Sequence, residues 1–363
     1  MKRRTFLQHS AILASALVLT PNFLIASETT PFGITNKNRE FSITNTYQLP
    51  ASEEITQLWI PIPLSSNYQK LLDIIYSGNY DEAKIVSNPY DAKVLYVSWE
   101  PNKTPRTIKV DFKVQTIQSS LDLHKATNNE NYPIEVQEFL KPTLHIPVDN
   151  TIKSYVNNIL QGETIPLQKA KKLYDWTVET MYRDNSVIGC GLGDAKRALE
   201  EKIFGGKCTD ISSVYVALLR NANIPAREVF GIRAGKSNIS GACGKADEKG
   251  FANITGGQHC RVELYISGLG WIPADPADVT KVRLAQKLTN NDPKFKETKK
   301  FMFGNWEMNW VAFNYARDFI LSPKPAQYPL NMLGYPYAEI GSEPQNYYDA
   351  KSFQFKYTSQ EKL

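Results

Sequence analysis

The chain has 363 residues, of which 42% are hydrophobic and 11% aromatic. This composition is typical of a folded globular protein and excludes a disordered chain. Beyond the first thirty residues, no apolar stretch approaches the roughly 20 residues that a membrane-spanning helix needs. The formal net charge is +5, of which Lys2, Arg3 and Arg4 supply three. The remaining excess is too small to indicate a protein that binds nucleic acid or a membrane surface.

Residues 1–27 are typical of an export signal. A basic head is followed by an apolar run over residues 11–20 and by the small residues Ala26 and Ser27. The segment RRTFL, residues 3–7, is similar to twin-arginine signals, which export folded proteins. We therefore predict a periplasmic or secreted protein with no stable membrane insertion after cleavage. A general secretory signal is the first alternative, and an uncleaved membrane anchor is the second.

Residues 28–140 predict a small antiparallel β domain. Apolar residues alternate with mostly polar ones in two segments, 41–49 and 108–114. The segment LWIPIP, residues 58–63, carries two prolines, so it is expected at a sheet edge or a strand end. No catalytic cluster is visible in this part of the chain.

Residues 141–363 predict a second, α+β domain. A helix capped by Asp149, one from about Pro166 and a short one after Asp194 precede a main helix from Thr209. Trp176 and Tyr182 either line a site, help to bind an oxyanion there, or belong to the core, and the helical spacing around Trp176 favours the core.

The later part of this domain returns to strand patterns. Strands are predicted over residues 227–233, 259–266 and 271–274, with more in the aromatic segment 301–321. We expect residues 234–258 to form a long mobile loop over the site. The aromatic, proline-rich end beyond Ser322 is expected to wrap the surface.

Cys208 lies at a corner of the chain, in the segment GGKCTD, residues 205–210, directly before the main helix. The two glycines predict a sharp turn that leaves the thiol at the helix N-terminus. Unpaired N–H groups and the positive end of the helix dipole favour a thiolate there, and the same N–H groups can hold an oxyanion. Thr209 or Asp210 is expected to cap the remaining donors. The alternative is a half-buried cysteine beside an ordinary cap.

His259 supplies the base that a nucleophilic thiol needs. It opens a strand that turns at residues 267–270 and returns to Asp275, so the hairpin brings His259 and Asp275 together. The turn centres slightly late for direct opposition, which predicts a bulge or a wider loop. An aspartate bonded to the imidazole orients the ring and stabilises the imidazolium.

Cys190, Cys243 and Cys260 have less defined roles. Because an even number of cysteines in an exported protein favours disulfides, one pair among these three is one interpretation. Three free core thiols are the other. Cys260 should face away from the site because it follows His259 on a strand. The sequence has no CxxC pair, so neither a metal nor a cofactor is predicted.

The segments GGKCTD, VYVALLRNANIPAREVFGIR and QHCRVELYISGLGWIPADPADV resemble the transglutaminase-like superfamily, whose thiol enzymes are related in architecture to papain-like proteases. The resemblance covers residues 149–279 and implies a catalytic triad of Cys208, His259 and Asp275 in a domain of helices packed on an antiparallel sheet. It looks closest to exported bacterial members that have an N-terminal β domain. Many members have an aromatic residue two positions after the histidine, where this chain has Arg261. That departure weakens any inference about the acyl-binding groove and leaves the triad untouched.

The sequence therefore predicts an exported thiol acyl-transfer enzyme that acts on protein or peptide amide bonds without a cofactor. Its partners would be protein or peptide substrates in the cell envelope, and no nucleic acid. Cross-linking, deamidation and hydrolysis stay open as reactions. The alternatives are a papain-like cysteine peptidase or amidase, and a non-catalytic envelope-binding protein on the same fold.

Overall fold

A computed structural model describes residues 32–35, 37–118, 121–351 and 353–363. The predicted export signal, residues 1–27, lies outside the described residues. Among the residues that are described, no helix is both long and apolar enough to cross a membrane.

The N-terminal part of the described chain consists of strands joined by short loops. They are β1 (Arg39–Leu49), β2 (Thr56–Pro61), β3 (Gln69–Gly78), β4 (Glu82–Ser87), β5 (Lys93–Trp99) and β6 (Arg106–Thr116), with a 3-10 turn over Pro89–Asp91. The alternation that predicted β1 and β6 is the pattern of burial in the structure, and Ile43 faces Phe112 across the antiparallel pair. The predicted β domain is therefore present, and side chains of its strands share one apolar core.

Helices dominate the next part of the chain, as the sequence predicts. Two 3-10 turns, Leu123–Lys125 and Glu138–Leu140, accompany α1 (Ile134–Gln137), α2 (Asn150–Leu160), α3 (Pro166–Thr180), β7 (Tyr182–Arg183), α4 (Ala195–Glu200), β8 (Gly205–Gly206) and α5 (Cys208–Asn221). The predicted caps are correct, because Asp149 accepts from the N–H of Ile152 and Asp194 from that of Arg197, both at 3.0 Å. Each carboxylate satisfies a donor that the first helical turn leaves unpaired.

The central sheet of the second domain is antiparallel and carries α5 on one face. Its elements and those that follow are β9 (Ala226–Arg233), β10 (Phe251–Asn253), β11 (Gln258–Ile266), β12 (Gly270–Ala274), α6 (Pro276–Ala285), α7 (Pro293–Phe301) and β13 (Trp310–Asn314). The strand order is β12-β11-β9-β13, and α5 packs on β11 and β9. The predicted α+β fold, with helices on an antiparallel sheet behind a β domain, is confirmed.

The end of the chain does not wrap the surface as the sequence analysis expected. Its strands are β14 (Arg317–Phe319), β15 (Leu330–Met332), β16 (Tyr337–Ile340), β17 (Glu343–Pro344) and β18 (Phe355–Glu361). β14 and β15 pair only with each other, whereas β16, β17 and β18 complete both sheets of the N-terminal domain, whose orders are β10-β18-β1-β6-β3 and β17-β16-β2-β5-β4. Phe355 and Tyr357 alternate with polar residues and are buried, which is the pattern of a core strand. The domain bounds 28–140 and 141–363 stay a prediction, and the last strands cross between them.

The segment 234–258 is also different from the free loop that was expected. The buried side chain of Asn309 donates to the carbonyls of Gly235 and Cys243, and Ser237 donates to Glu307. Strand β10, within this segment, pairs with β18. These contacts hold parts of the segment against the rest of the protein, so the glycine-rich composition does not by itself indicate mobility.

Candidate active site

Cys208 is the first residue of α5, and its side chain is 2% exposed. Asp210 fixes this helix start, because its carboxylate accepts from the N–H groups of Lys207 and Gly193, both at 2.9 Å. Of the two expected caps, Asp210 therefore takes the role. Gly206 is required for close approach, because a Cβ at this position would lie 2.5 Å from the Cβ of Asp210. The glycines pack in the short strand β8 and do not form the sharp turn that was predicted.

His259 and Asp275 lie close together as predicted, but neither a bulge nor a wider loop brings them there. The β11–β12 hairpin is regular and needs no bulge, with Val262 opposite Ala274. Asp275 follows β12 as the N-cap of α6, a helix that the sequence analysis did not predict. One carboxylate oxygen, Oδ1, accepts from the Asp278 N–H, and the other, Oδ2, lies 2.8 Å from His259 Nε2. The helix cap thus holds the aspartate at the imidazole.

A buried ring of charges surrounds this pair. Asp278 Oδ2 lies 3.5 Å from His259 Nε2, and Asp278 pairs with Arg233. On the other side, Arg261 Nε lies 3.1 Å from Asp275 Oδ2, an ion pair without a directed hydrogen bond. Each carboxylate therefore has a guanidinium beside it. His259, Asp275 and Asp278 are close enough to share a metal ion, but the two arginines already compensate both negative charges, which does not favour a cation there.

Arg261 stands where an aromatic residue was expected, and the structure explains the replacement. Its side chain is buried, its guanidinium lies 4.7 Å from the centre of the Trp310 ring, and it donates to the Glu307 carbonyl. Because it packs behind Asp275, Arg261 belongs to the support of the imidazole and does not line the cavity at Cys208.

The free thiols Cys190 and Cys260 lie beside the Cys208 sulfur. The expectation that Cys260 faces away is wrong, because α5 packs on the face of β11 that bears Cys260, whose sulfur lies 3.3 Å from Thr209 Oγ1. Hydrogen bonds from the Cys190 and Cys260 thiols lower the pKa of Cys208 well below its usual range, and His259 adds to this effect against the opposing effect of burial. Burial raises the pKa of Cys243 and of Cys260.

The same environment favours a protonated imidazole. Burial and the charge of Arg233 lower the pKa of His259, but Asp278, Asp275 and the hydrogen bond to Asp275 outweigh them, so the pKa of His259 is raised. Its other ring nitrogen, Nδ1, is buried and has no directed hydrogen bond among the described residues. A lowered thiol pKa beside a raised imidazole pKa is the condition for a thiolate–imidazolium pair.

Some residues near the site were missed by the sequence analysis. Asp278 repeats the chemistry of Asp275 one helical turn later, and the motif ADPADV is the signal that could have found it. Gln258 has no such signal; it is buried beside Cys208, and its Nε2 has no partner among the described residues. Trp176 packs on Tyr155 and Phe204, as expected for a core residue.

Tyr182 is 55% exposed, so the expectation that it belongs to the core is wrong. Its ring covers Gly205, where a Cβ would lie 2.7 Å from ring atoms. Neither Tyr182 nor Trp176 lines the cavity at Cys208. Their side chains are therefore not placed to bind an oxyanion there.

Comparison with known proteins identifies the family of one domain. Residues 153–276, which include Cys208, His259 and Asp275, match the model of the transglutaminase-like superfamily. This part of the chain is a transglutaminase-like domain. An uncharacterized protein from Haemophilus influenzae is 44% identical over 334 residues, which are 88% of this chain and 90% of the relative.

One solved structure shares the overall fold of this chain, and a second one has a partial likeness to it. A "Putative Cysteine Protease" from Cytophaga hutchinsonii is 15% identical, with a TM-score of 0.54 over 89% of this chain and 98% of that one. The periplasmic domain of TgpA from Pseudomonas aeruginosa, bound to ethylmercury, is also 15% identical, with a TM-score of 0.34 over 67% of this chain and 91% of that one. At these identities the first likeness concerns the fold alone.

In this transglutaminase-like domain, Cys208 opens into a cavity of about 370 Å³. A larger cavity of about 550 Å³ is lined by Tyr68, Arg227 and Trp271 among others and contains none of the predicted triad. Because chemistry depends on the thiol, the smaller cavity is the candidate active site.

Proposed function

We propose that the protein is an exported thiol acyl-transfer enzyme in which Cys208 is the nucleophile, His259 the acid and base, and Asp275 the residue that orients the imidazole. One observation carries the proposal: His259 adjoins the sulfur of Cys208 and is bonded through Nε2, at 2.8 Å, to the buried carboxylate of Asp275. The lowered pKa of Cys208 and the raised pKa of His259 agree with this geometry. Strong perturbation of paired groups in a cavity is typical of an active site.

The reaction proceeds in two halves. The Cys208 thiolate attacks the carbonyl carbon of an amide, and the C–N bond breaks as the imidazolium gives its proton to the leaving amine. Water or a second amine, deprotonated by the imidazole, then attacks the thioester and releases Cys208. With Nε2 bonded to Asp275, Nδ1 is the nitrogen that exchanges these protons. Among the described residues no backbone carbonyl accepts from the Cys208 N–H, which leaves this donor for the oxyanion.

Transfer to an amine and hydrolysis differ only in the second acceptor, so both belong to the proposal. The substrates would be proteins or peptides of the cell envelope. A non-catalytic binding protein on the same fold is the second candidate. The buried His259–Asp275 pair beside the sulfur of Cys208 argues against it, because binding does not require this arrangement.

The first test is chemical. Limiting iodoacetamide near neutral pH, followed by mass spectrometry, should label Cys208 ahead of the other three thiols. A substrate found by assays of peptide cleavage, glutamine deamidation and amine incorporation should then lose nearly all turnover in Cys208→Ala and His259→Ala.

The matched control is Cys243→Ala, which removes a buried thiol that adjoins neither His259 nor Asp275 in the hydrogen-bond network. It should keep the activity of the parent enzyme. Equal turnover in the parent and in Cys208→Ala would refute the thiol mechanism.

The proposed export is tested independently. Changing Arg3-Arg4 to Lys-Lys should leave uncleaved precursor inside the cell if the twin-arginine route is used. Normal export of that variant would indicate the general secretory route and would leave the arguments about the site unchanged.

A further inference from the structure

The charged side chains that line the cavity at Cys208 are all basic. Four of its side chains are basic, and none is an aspartate or a glutamate. The basic residues are Arg183, Lys207, Arg233 and Lys281. This bias is local, because the whole chain has 42 basic and 37 acidic residues.

The cavity does not neutralise most of these charges. Arg233 pairs with Asp278. Within the described residues, no carboxylate oxygen lies within 4.0 Å of a charged nitrogen of Arg183, Lys207 or Lys281, so these three side chains form no ion pair. Lys281 is half-buried on α6, and burial together with the charge of Arg233 lowers its pKa against the opposing effect of Asp278. Asp278 already pairs with Arg233, so Lys281 does not have this carboxylate to itself. Holding an ammonium group in such a place costs free energy unless an anion joins it.

We propose that the acyl donor of this enzyme carries a carboxylate beside the scissile amide, and that Lys281 and Arg183 bind it. The inference rests on the proposed function and names its substrate class. Two sources offer this chemistry: the C-terminal carboxylate of a peptide whose last amide bond is cleaved, and an acidic side chain next to the reacting carbonyl. The cations set specificity and do not take part in bond making.

A pair of alkylating reagents tests the inference without a natural substrate. Iodoacetate and iodoacetamide react alike, since the Cys208 thiolate attacks the CH2 carbon and iodide leaves, and the two differ in charge. The ratio of their rate constants cancels any change in the thiolate fraction. In the double variant Lys281→Gln/Arg183→Gln, we expect this ratio to fall by about tenfold at low ionic strength.

The control is Lys153→Gln, which removes an exposed charge on α2, and its ratio should equal that of the parent. Raising the salt concentration should lower the parent's ratio toward that of the double variant. An unchanged ratio in the double variant, or an equal fall in Lys153→Gln, would overturn the inference. A Cys208 that reacts with neither reagent would instead refute the proposed thiol function.

Peptides separate the two sources. One pair has a free or an amidated C-terminus, and a second pair has glutamate or glutamine next to the scissile amide. In the pair that contains the true source of the carboxylate, the anionic peptide should have a higher kcat/KM than the neutral one. The ratio of these two kcat/KM values should be smaller in the double variant. Turnover without an anionic advantage in either pair would contradict the inference and leave the proposed function standing.

Discussion

At the scale of single residues, the candidate site is defined by sulfur as much as by the triad. Cys190 and Cys260 both adjoin Cys208, and their hydrogen bonds are the main cause of its lowered pKa. Tyr335 donates to the Cys190 sulfur at 3.2 Å, and Cys190 lies 3.6 Å from the Gln258 carbonyl. The single hydrogen of the Cys190 thiol is shared between two acceptors, the Gln258 carbonyl and the Cys208 sulfur, and a disulfide to Cys260 would remove it.

The first prediction concerns pH. Because the pKa of Cys208 is lowered and that of His259 is raised, the thiolate–imidazolium pair exists between the two values. Alkylation of Cys208 should persist well below the ordinary thiol pKa of about 8.5, falling only at acid pH. Turnover should also decline at a pH above the ordinary histidine value of about 6.5, once the imidazolium that protonates the leaving amine is lost.

Cys190→Ala provides the comparison for this prediction. Without the Cys190 hydrogen bond, the acid limb of the alkylation profile should move to higher pH, toward that of a free thiol. Profiles are measured by following carbamidomethylation of Cys208 against pH. Superimposable profiles of the two proteins would show that Cys190 does not stabilise the thiolate.

At the scale of elements, the junction of β12 and α6 contributes both to the stability of α6 and to the geometry of the candidate site. Asp275 caps α6 with one oxygen and holds His259 with the other. Pro276 at the first helical position and the cap together start the helix where the strand ends. A hairpin alone would place residue 275 beside Arg261, so the start of α6 is what turns the carboxylate toward the imidazole.

The second prediction separates these two roles of Asp275. Asparagine caps a helix nearly as well as aspartate, whereas alanine does not. Asp275→Asn should therefore keep the cap but lower kcat by orders of magnitude, since the analogous change in a serine triad lowers kcat by about 10⁴. Asp275→Ala should lose about as much activity as Asp275→Asn. Its free energy of unfolding should in addition be about 1 kcal/mol lower than that of Asp275→Asn, so it should unfold at a lower urea concentration.

The measurements are steady-state kinetics and urea unfolding followed by circular dichroism. Both variants also remove the charge beside the buried Arg261, so each should be less stable than the parent. Equal stability of the Asn and Ala variants would show that the cap contributes nothing.

At the scale of the whole molecule, the two ends of the described chain fold together. Strand β18 pairs with β1 and β10, and the hydroxyls of Tyr357 and Tyr47 lie 2.8 Å apart in the core. Segments more than 300 residues apart in the sequence thus form one sheet, and the transglutaminase-like domain lies between them in the chain.

The third prediction follows from this closure. Deletion of residues 351–363 removes the buried side chains of Phe355 and Tyr357 and exposes an edge of β1. The free energy of unfolding should fall by at least about 3–6 kcal/mol, since a fully buried large side chain contributes about 1.5–3 kcal/mol, and the protein should aggregate. Deletion of Leu363 alone, which is 83% exposed, should leave stability unchanged. A soluble, fully stable protein that lacks residues 351–363 would contradict this assignment of the tail.

The sequence by itself determined the local features. The periodic apolar residues and the caps Asp149 and Asp194 depend on neighbours within a few positions. The order of Cys208, His259 and Asp275 along the chain is likewise visible in the sequence itself. Those patterns were enough to predict the α+β fold and to select the three candidate residues. Local rules fail, however, where a side chain's partner is distant in sequence.

The tertiary structure decided the rest for that reason. The packing of α5 on one face of β11 placed Cys260 beside Cys208, and the start of α6 placed Asp278 beside His259. Arg183 from β7 and Lys281 from α6 come to one cavity from segments almost a hundred residues apart. The tail became a core strand because the edge of β1 was open to it. Hydrogen-bonding edges and buried charges are satisfied by whichever segment packs against them, and no local pattern encodes that choice.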